Sequence, residues 1–237
     1  MIHKIALSNI LFLDIETIPQ VQEFSDMDAE LQELWAAKTQ YQRRDDYTAE
    51  EFYERAGIWA EFGKIVCVSV GYFMQKSDIR QFRVTSFFGD EVKILRDFSD
   101  LLNNHFNAAP HLLCGHNIKE FDIPYMARRL IINNLPLPDK LNLFGKKPWE
   151  VPHLDTLELW KFGDYKNFTS LKLLTKILGI PSSKDDIDGS EVARVFYEDG
   201  GLDRIVTYCE KDVIAVAQVF LRLRREEMLD PSEILHV

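Results

Sequence analysis

Three short stretches of the 237-residue chain carry groups able to do chemistry. In "ILFLDIETIP" an apolar run leads into Asp14 and Glu16, two positions apart. Residues two apart in a strand face the same side, so the two carboxylates share a face. Like charges that close disfavour each other's ionisation. A divalent cation relieves that cost, and hard oxygen donors select Mg2+ or Mn2+. Taken alone, Asp-x-Glu is equally a helix cap beside a solvated acid. The second stretch, "GHNIKEFDIPYMARR", sets Asn117 and Asp122 at a strand-to-helix junction. Such junctions build sites at sheet ends, although a turn asparagine and a first-turn acid suit the same positions. The third, "YCEKD", puts Tyr208 and Asp212 four apart on one helix face. Ile205, Val216 and Val219 share that face, so it is partly core-directed and the acid needs a partner. A Tyr–Asp hydrogen bond within the helix is the plain alternative.

These groups need rigid elements to hold them. The first strand is expected over residues 9–15, with Asp14 and Glu16 at its C-terminal end. Residues 20–62 read as a helical insertion after that strand, with Asp28 and Thr48 as N-caps and Trp35 and Trp59 as packing anchors. Strands over 64–74 and 78–89 follow as a hairpin. An amphipathic helix over 90–106 carries Val92, Leu95, Phe98, Leu102 and Phe106 on its apolar stripe. Then come a short strand over 111–117, a helix over 121–134, a Pro- and Lys-rich loop, and a last short strand turning into a helix in "HLDTLELW". Helices over 170–180, 190–198 and 201–227 close the chain. This order predicts an α/β fold: a mixed five-stranded sheet flanked by helices, forming a single domain over 1–237.

Composition narrows the class. The apolar fraction is 46% and the net charge −10, so a real core is expected and a purely electrostatic nucleic-acid binder is not. Cys67, Cys114 and Cys209 stand far apart with no paired spacing, which reads as free thiols in a reducing cytoplasm. No apolar run is long enough for a membrane span, and no signal-peptide pattern opens the chain.

In order, the three stretches read D-x-E, N-x-x-x-F-D and Y-x-x-x-D. This resembles the three motifs of the DEDD superfamily of 3′→5′ exonucleases, in its tyrosine subclass (DEDDy). It is most similar to the exonuclease domain of family B DNA polymerases and to the bacterial stand-alone proteins related to it. The resemblance covers about residues 9–225 and implies a ribonuclease H-like fold. It implies that Asp14, Glu16, Asp122 and Asp212 bind two divalent cations, Mg2+ or Mn2+, and that Tyr208 orients the attacking water. It further implies that Asn117, Phe121 and Thr17 lie against the 3′-terminal nucleotide. The histidine subclass would place His where Thr207 stands. The expected activity is two-metal-ion hydrolysis at 3′ ends of single-stranded DNA, releasing nucleoside 5′-monophosphates. The alternatives are an exoribonuclease of the same fold and a catalytically silent nucleic-acid-binding module. No polymerase domain is expected to follow, so the exonuclease would act alone or with a separate polymerase or repair partner.

Other groups read as structural. Asp155 suits a helix cap or a supporting role beside the site. His116 and His153 lack metal-ligand spacing. The acidic loop 184–190 lacks the pattern of a calcium loop. Lys119, Arg128 and Arg129 are candidates for phosphate contact, with solubility as the simpler role. "SFFGD" reads as core rather than as a stacking platform.

Overall fold

The computed structural model describes residues 2–44, 46–76, 79–164, 166–181 and 187–237. At its centre is β1 (Ile10–Pro19), buried along almost its whole length. It pairs antiparallel with β2 (Gly63–Lys76), which pairs antiparallel with β3 (Ile79–Phe88). On its other side β1 pairs parallel with β4 (Leu112–Gly115), which pairs parallel with β5 (Leu154–Asp155). The five expected strands are joined by a sixth, β6 (Ile234–His236), parallel to β3, giving the order β5-β4-β1-β2-β3-β6. Three residues near the chain end are too few for an alternation signal, so β6 is set by the β3 edge it covers.

The pleat of β1 sorts its side chains onto two cores. Leu11, Leu13 and Ile15 pack with α2 (Glu91–His105) and α3 (Asp122–Ile132). Ile10 and Phe12 face the long helix α7 (Leu202–Leu223), whose Val213, Val216, Ala217 and Phe220 are fully buried. The Phe12 ring meets Phe73, Phe82 and Phe220 edge-on at 5.7–5.8 Å, a favoured aromatic geometry. Gly71 of β2 makes this close approach sterically feasible. A Cβ there would lie 2.3 Å from Phe82 and 2.9 Å from Val213.

β1 runs on past the expected end at residue 15, to Pro19. Asp14 and Glu16 therefore stand within a strand rather than at its tip. The extension is held by β2, with one irregularity: Glu16 faces Cys67 while Thr17 faces Ile65, so Val66 is an extra residue.

Between β1 and β2 the chain forms α1 (Ala29–Arg43), capped by Asp28, and a 3-10 segment over Glu51–Ile58. Thr48 and Glu51 exchange hydrogen bonds at the start of that segment, as in a capping box. Trp35 is fully buried here. Its indole donates to Ala49 O at 2.7 Å and its ring meets Trp59 edge-on at 5.2 Å.

Short helices α4 (Thr156–Lys161), α5 (Leu171–Ile177) and α6 (Val192–Tyr197) complete the layers. The turn of the β2–β3 hairpin and residues 184–186 of the 184–190 loop lie outside the described residues; Asp188 caps the short 3-10 turn Gly189–Glu191 that follows.

Candidate functional site

Asp14 and Glu16 lie on the α7 side of the sheet, opposite Ser69 and Cys67 of β2. Glu16 is buried and Asp14 partly so. The register of β1 with β4 ends at Phe12 and Cys114, which frees the far edge of β1 beyond that point. There Asp122 is buried at the first turn of α3, with its own amide and that of Ile15 close enough to favour the carboxylate. The N-terminal end of α3 adds a favourable dipole for that carboxylate. From the other side α7 brings Tyr208 and Asp212, one turn apart and partly buried.

The electrostatics tie these groups into one cluster. Burial, then Asp122, Glu16 and Asp212, raise the Asp14 carboxyl well above its ordinary range, and only the Cys209 thiol acts the other way. Glu16 is raised by burial, then Asp212, Cys67 and Asp122. Burial pushes Asp122 up to about 7, with Asp155 adding, while the bonds from its own and the Ile15 amide oppose. The Tyr208 hydroxyl is raised by burial, then by Asp212, Glu16, Asp14 and Asp188, so it remains a neutral phenol at physiological pH.

Acids converging in this way form a donor set that fits divalent metal ions, and the influences on Asp14, Glu16 and Asp122 include no cation. Oxygen-only carboxylate donors suit Mg2+ or Mn2+, whose charge would reverse the mutual repulsion. Among the described residues, Asp14, Glu16 and Cys209 have donor atoms within 4.8 Å of one another, while Asp122 and Asp212 act on the two acids through their charge.

The loop between β4 and α3 shapes the approach. Asn117 adopts a left-handed conformation, φ 67°, which asparagine tolerates better than most residues. Its carbonyl accepts from Glu120 N and Phe121 N, closing a tight turn just before Asp122. Asp155 fixes that turn. Its buried carboxylate accepts from Asn117 N at 3.0 Å and Lys119 N at 3.2 Å, and it caps α4 through Leu157 N and Glu158 N. The sequence reading of Asp155 as a cap captured half of this. The other half is a contact across 38 residues, which local pattern does not carry.

Phe121 rests against Tyr125, ring centres 5.4 Å apart. Tyr125 donates to Gly57 O at 2.8 Å, and the Thr17 side chain at the end of β1 is near enough to influence its hydroxyl. A Cβ on Gly63 would sit 2.2 Å from that tyrosine oxygen. The Tyr125 link was missed in the sequence, where the residue is simply one apolar position on the inner face of α3.

Several neighbours prove structural. Arg129 is buried and bonds Glu91 and Ala60 O, so it faces away from any phosphate. Lys119 pairs with Glu158 at 2.7 Å. His153 accepts from Leu113 N and donates from Nε2 to Lys140 O, which fixes it neutral. Burial lowers it to about 4. His116 bridges Thr156 and Thr169 O, and burial lowers it too. Phe87 meets Phe98 in the core, as read, but Phe88 is about half exposed. The three cysteines are free and buried. Cys209, however, touches Asp14, a contact that no spacing rule foretells.

Comparison with known proteins gives a family-model match and structural matches. The family model described as "Predicted 3'-5' exonuclease related to the exonuclease domain of PolB" matches residues 58–234. That span includes Asp122, Tyr208 and Asp212 and leaves Asp14 and Glu16 outside. The chain is similar in structure to the family B DNA polymerase from the hyperthermophilic archaeon Pyrobaculum calidifontis, with TM-score 0.53 and 17% identity. The similarity covers 90% of this chain and 24% of the polymerase, and at that identity it speaks for the fold. No curated protein matches.

Proposed function

The chain belongs to the family of predicted 3′-5′ exonucleases related to the exonuclease domain of PolB, and we propose that it is a metal-dependent 3′→5′ exonuclease of single-stranded DNA ends. Its products would be nucleoside 5′-monophosphates. The observation that carries this reading is the convergence of Asp14, Glu16, Asp122 and Asp212 into one electrostatic cluster with Tyr208. We read residues 1–237 as one exonuclease domain. Three unpaired buried thiols favour a reducing, cytoplasmic setting.

Asp14, Glu16, Asp122 and Asp212 would hold two divalent cations, Mg2+ or Mn2+. When bound, such a pair stabilises the charge on the entering and departing oxygens of an in-line displacement at phosphorus. Tyr208 stays protonated, so its part is to hold the attacking water by a hydrogen bond rather than to remove its proton. The Asn117 turn, Phe121 and Thr17 would seat the terminal nucleotide, with Asp155 and Tyr125 keeping that wall in place.

The test is digestion of 3′-terminal nucleotides from matched 5′-labelled DNA and RNA oligomers, with Mg2+ or Mn2+. The wild type should shorten the DNA strand stepwise, and Asp14→Ala and Asp212→Ala should not, while their circular dichroism stays native. Faster loss of RNA would make the enzyme an exoribonuclease, since the 2′-hydroxyl is what the site must accept or reject. A wild type that shortens neither strand, or variants as active as the wild type, would overturn the reading. Tight binding without turnover would point to a silent binding module.

A further inference from the structure

Two thiols border the carboxylates, and the hydrolysis described above uses neither. Cys209 follows Tyr208 on α7 and is fully buried. Its Sγ lies 3.4 Å from Asp14 O and 3.5 Å from Asp14 Oδ2. Cys67 stands opposite Glu16 on β2, is fully buried, and lies close enough to Cys209 for the two thiols to influence each other. Ser69 Oγ, 3.5 Å from Cys67 Sγ and 2.8 Å from Ser86 Oγ, continues the chain of contacts, and Ser86 donates to Glu210 at 2.8 Å. Cys209 is thereby held against Asp14 and Cys67 against Ser69.

The donor atoms of Asp14, Glu16 and Cys209 all lie within 4.8 Å of one another. A four-coordinate zinc site with bonds of about 2.0–2.3 Å sets its donors roughly 3.3–3.8 Å apart, so small side-chain adjustments would close this set around one ion. Two oxygens, one sulfur and an open fourth position form a donor set that Mg2+ does not favour and that zinc and cadmium do. The third cysteine, Cys114, is buried on β4 in the other part of that face, packed with Ile10 and Phe12.

We propose that Asp14, Glu16 and Cys209 form a sulfur-containing binding mode for thiophilic divalent cations, of the zinc and cadmium class, which competes with the oxygen-only mode of the same centre. This rests on reading the carboxylate cluster as a divalent-cation centre. Cys209 loses its proton to solvent as Sγ binds, and no oxidation is involved. An ion so held engages Asp14 and Glu16 through Cys209 and thereby competes for the two acids that the oxygen-only mode shares with Asp122 and Asp212. Zinc is then an inhibitor that acts through a residue outside the four carboxylates.

The test is titration of the full chain with Cd2+ in metal-free buffer, following the ultraviolet sulfur-to-cadmium charge-transfer band. The wild type and Cys114→Ser should show the band, saturating at one equivalent. Cys209→Ser should lack it. Asp14→Asn, which keeps every thiol, should bind cadmium at least tenfold more weakly, and this arm decides the matter if Cys209→Ser does not fold. No band in the wild type, an equal band in Cys209→Ser, or undiminished affinity in Asp14→Asn each overturn the proposal. Where Mg2+ supports digestion, zinc should inhibit Cys209→Ser at least tenfold less than the wild type. A cadmium band in a protein that digests nothing would leave the cation site standing and remove the exonuclease reading.

Discussion

Replacing Asp122 by asparagine is expected to stabilise the metal-free protein at pH 8 and to leave it little changed at pH 4. The Asp122 carboxyl is buried and pushed from 3.8 up to about 7. A raised acid keeps its proton in the folded state after the unfolded chain has lost it. Its contribution to stability is therefore full below about pH 4 and is lost as pH rises through about 7. At about 1.4 kcal/mol per tenfold step in protonation, that loss reaches up to about 4 kcal/mol at pH 8. Asparagine carries no charge to bury and keeps the size and shape of the side chain. It also relieves the repulsion that Asp122 exerts on Asp14 and Glu16. For a chain of this size each kcal/mol moves the melting temperature by ~2–4 °C, so a rise of roughly 5–15 °C is expected at pH 8. The wild type alone would hide this. His153, lowered to about 4, loses stability in the opposite direction, as pH falls from about 6.5 through 4. Subtracting the variant curve from the wild-type curve cancels His153 and isolates the acid. The measurement is thermal denaturation in EDTA at several pH values, repeated with Mg2+. A variant that is less stable than the wild type at pH 8 would refute the reasoning. So would a stability difference that is the same at pH 4 and pH 8.

Tyr208→Phe should lower the rate of nucleotide release by about 10²-fold, the scale of a misplaced reactant, without moving the acidic limb of the pH–rate profile. A change in that limb would instead give the phenol an ionising role. Asp155→Ala removes the acceptor for four backbone amides and should cost at least about 3 kcal/mol in urea denaturation, because buried donors are left unpaired. Asp155→Asn should recover part of that loss. Phe12→Ala should cost about 3–5 kcal/mol by emptying the junction of Phe73, Phe82 and Phe220. Its effect on digestion should be small at temperatures where the variant remains folded.

The sequence made the chemistry more legible than its supports. Asp14, Glu16, Asp122, Tyr208 and Asp212 were visible because each lies on a strongly patterned element, a strand of period two or a helix of period 3.6. Their grouping came from a family resemblance, since nothing in the period of β1 reports on a helix starting at residue 122. The strand ends were harder. β1 runs on through "ETIP" because β2 continues beside it, and Pro19, which would end a free strand, can occupy its last position. The contacts of Asp155 with Asn117, of Tyr125 with Gly57 and of Cys209 with Asp14 are tertiary and leave no local trace. Arg129 shows the same limit in reverse. Beside Arg128 it looks like a solvent charge, yet it is the buried partner of Glu91.

The sheet order also bears on when the site comes into being. β1 lies inside the sheet, and both its neighbours, β2 and β4, follow it in the chain and are synthesised later. The acids are drawn from positions 14, 16, 122 and 212, on a strand and two helices. Contacts so distant in sequence form slowly, because much of the chain must be ordered before they stabilise anything. Asp212, the last of the acids in chain order, lies on α7. A growing or partly unfolded chain therefore holds an incomplete set of acids, and cation binding should report native assembly of the whole sheet rather than of any one segment.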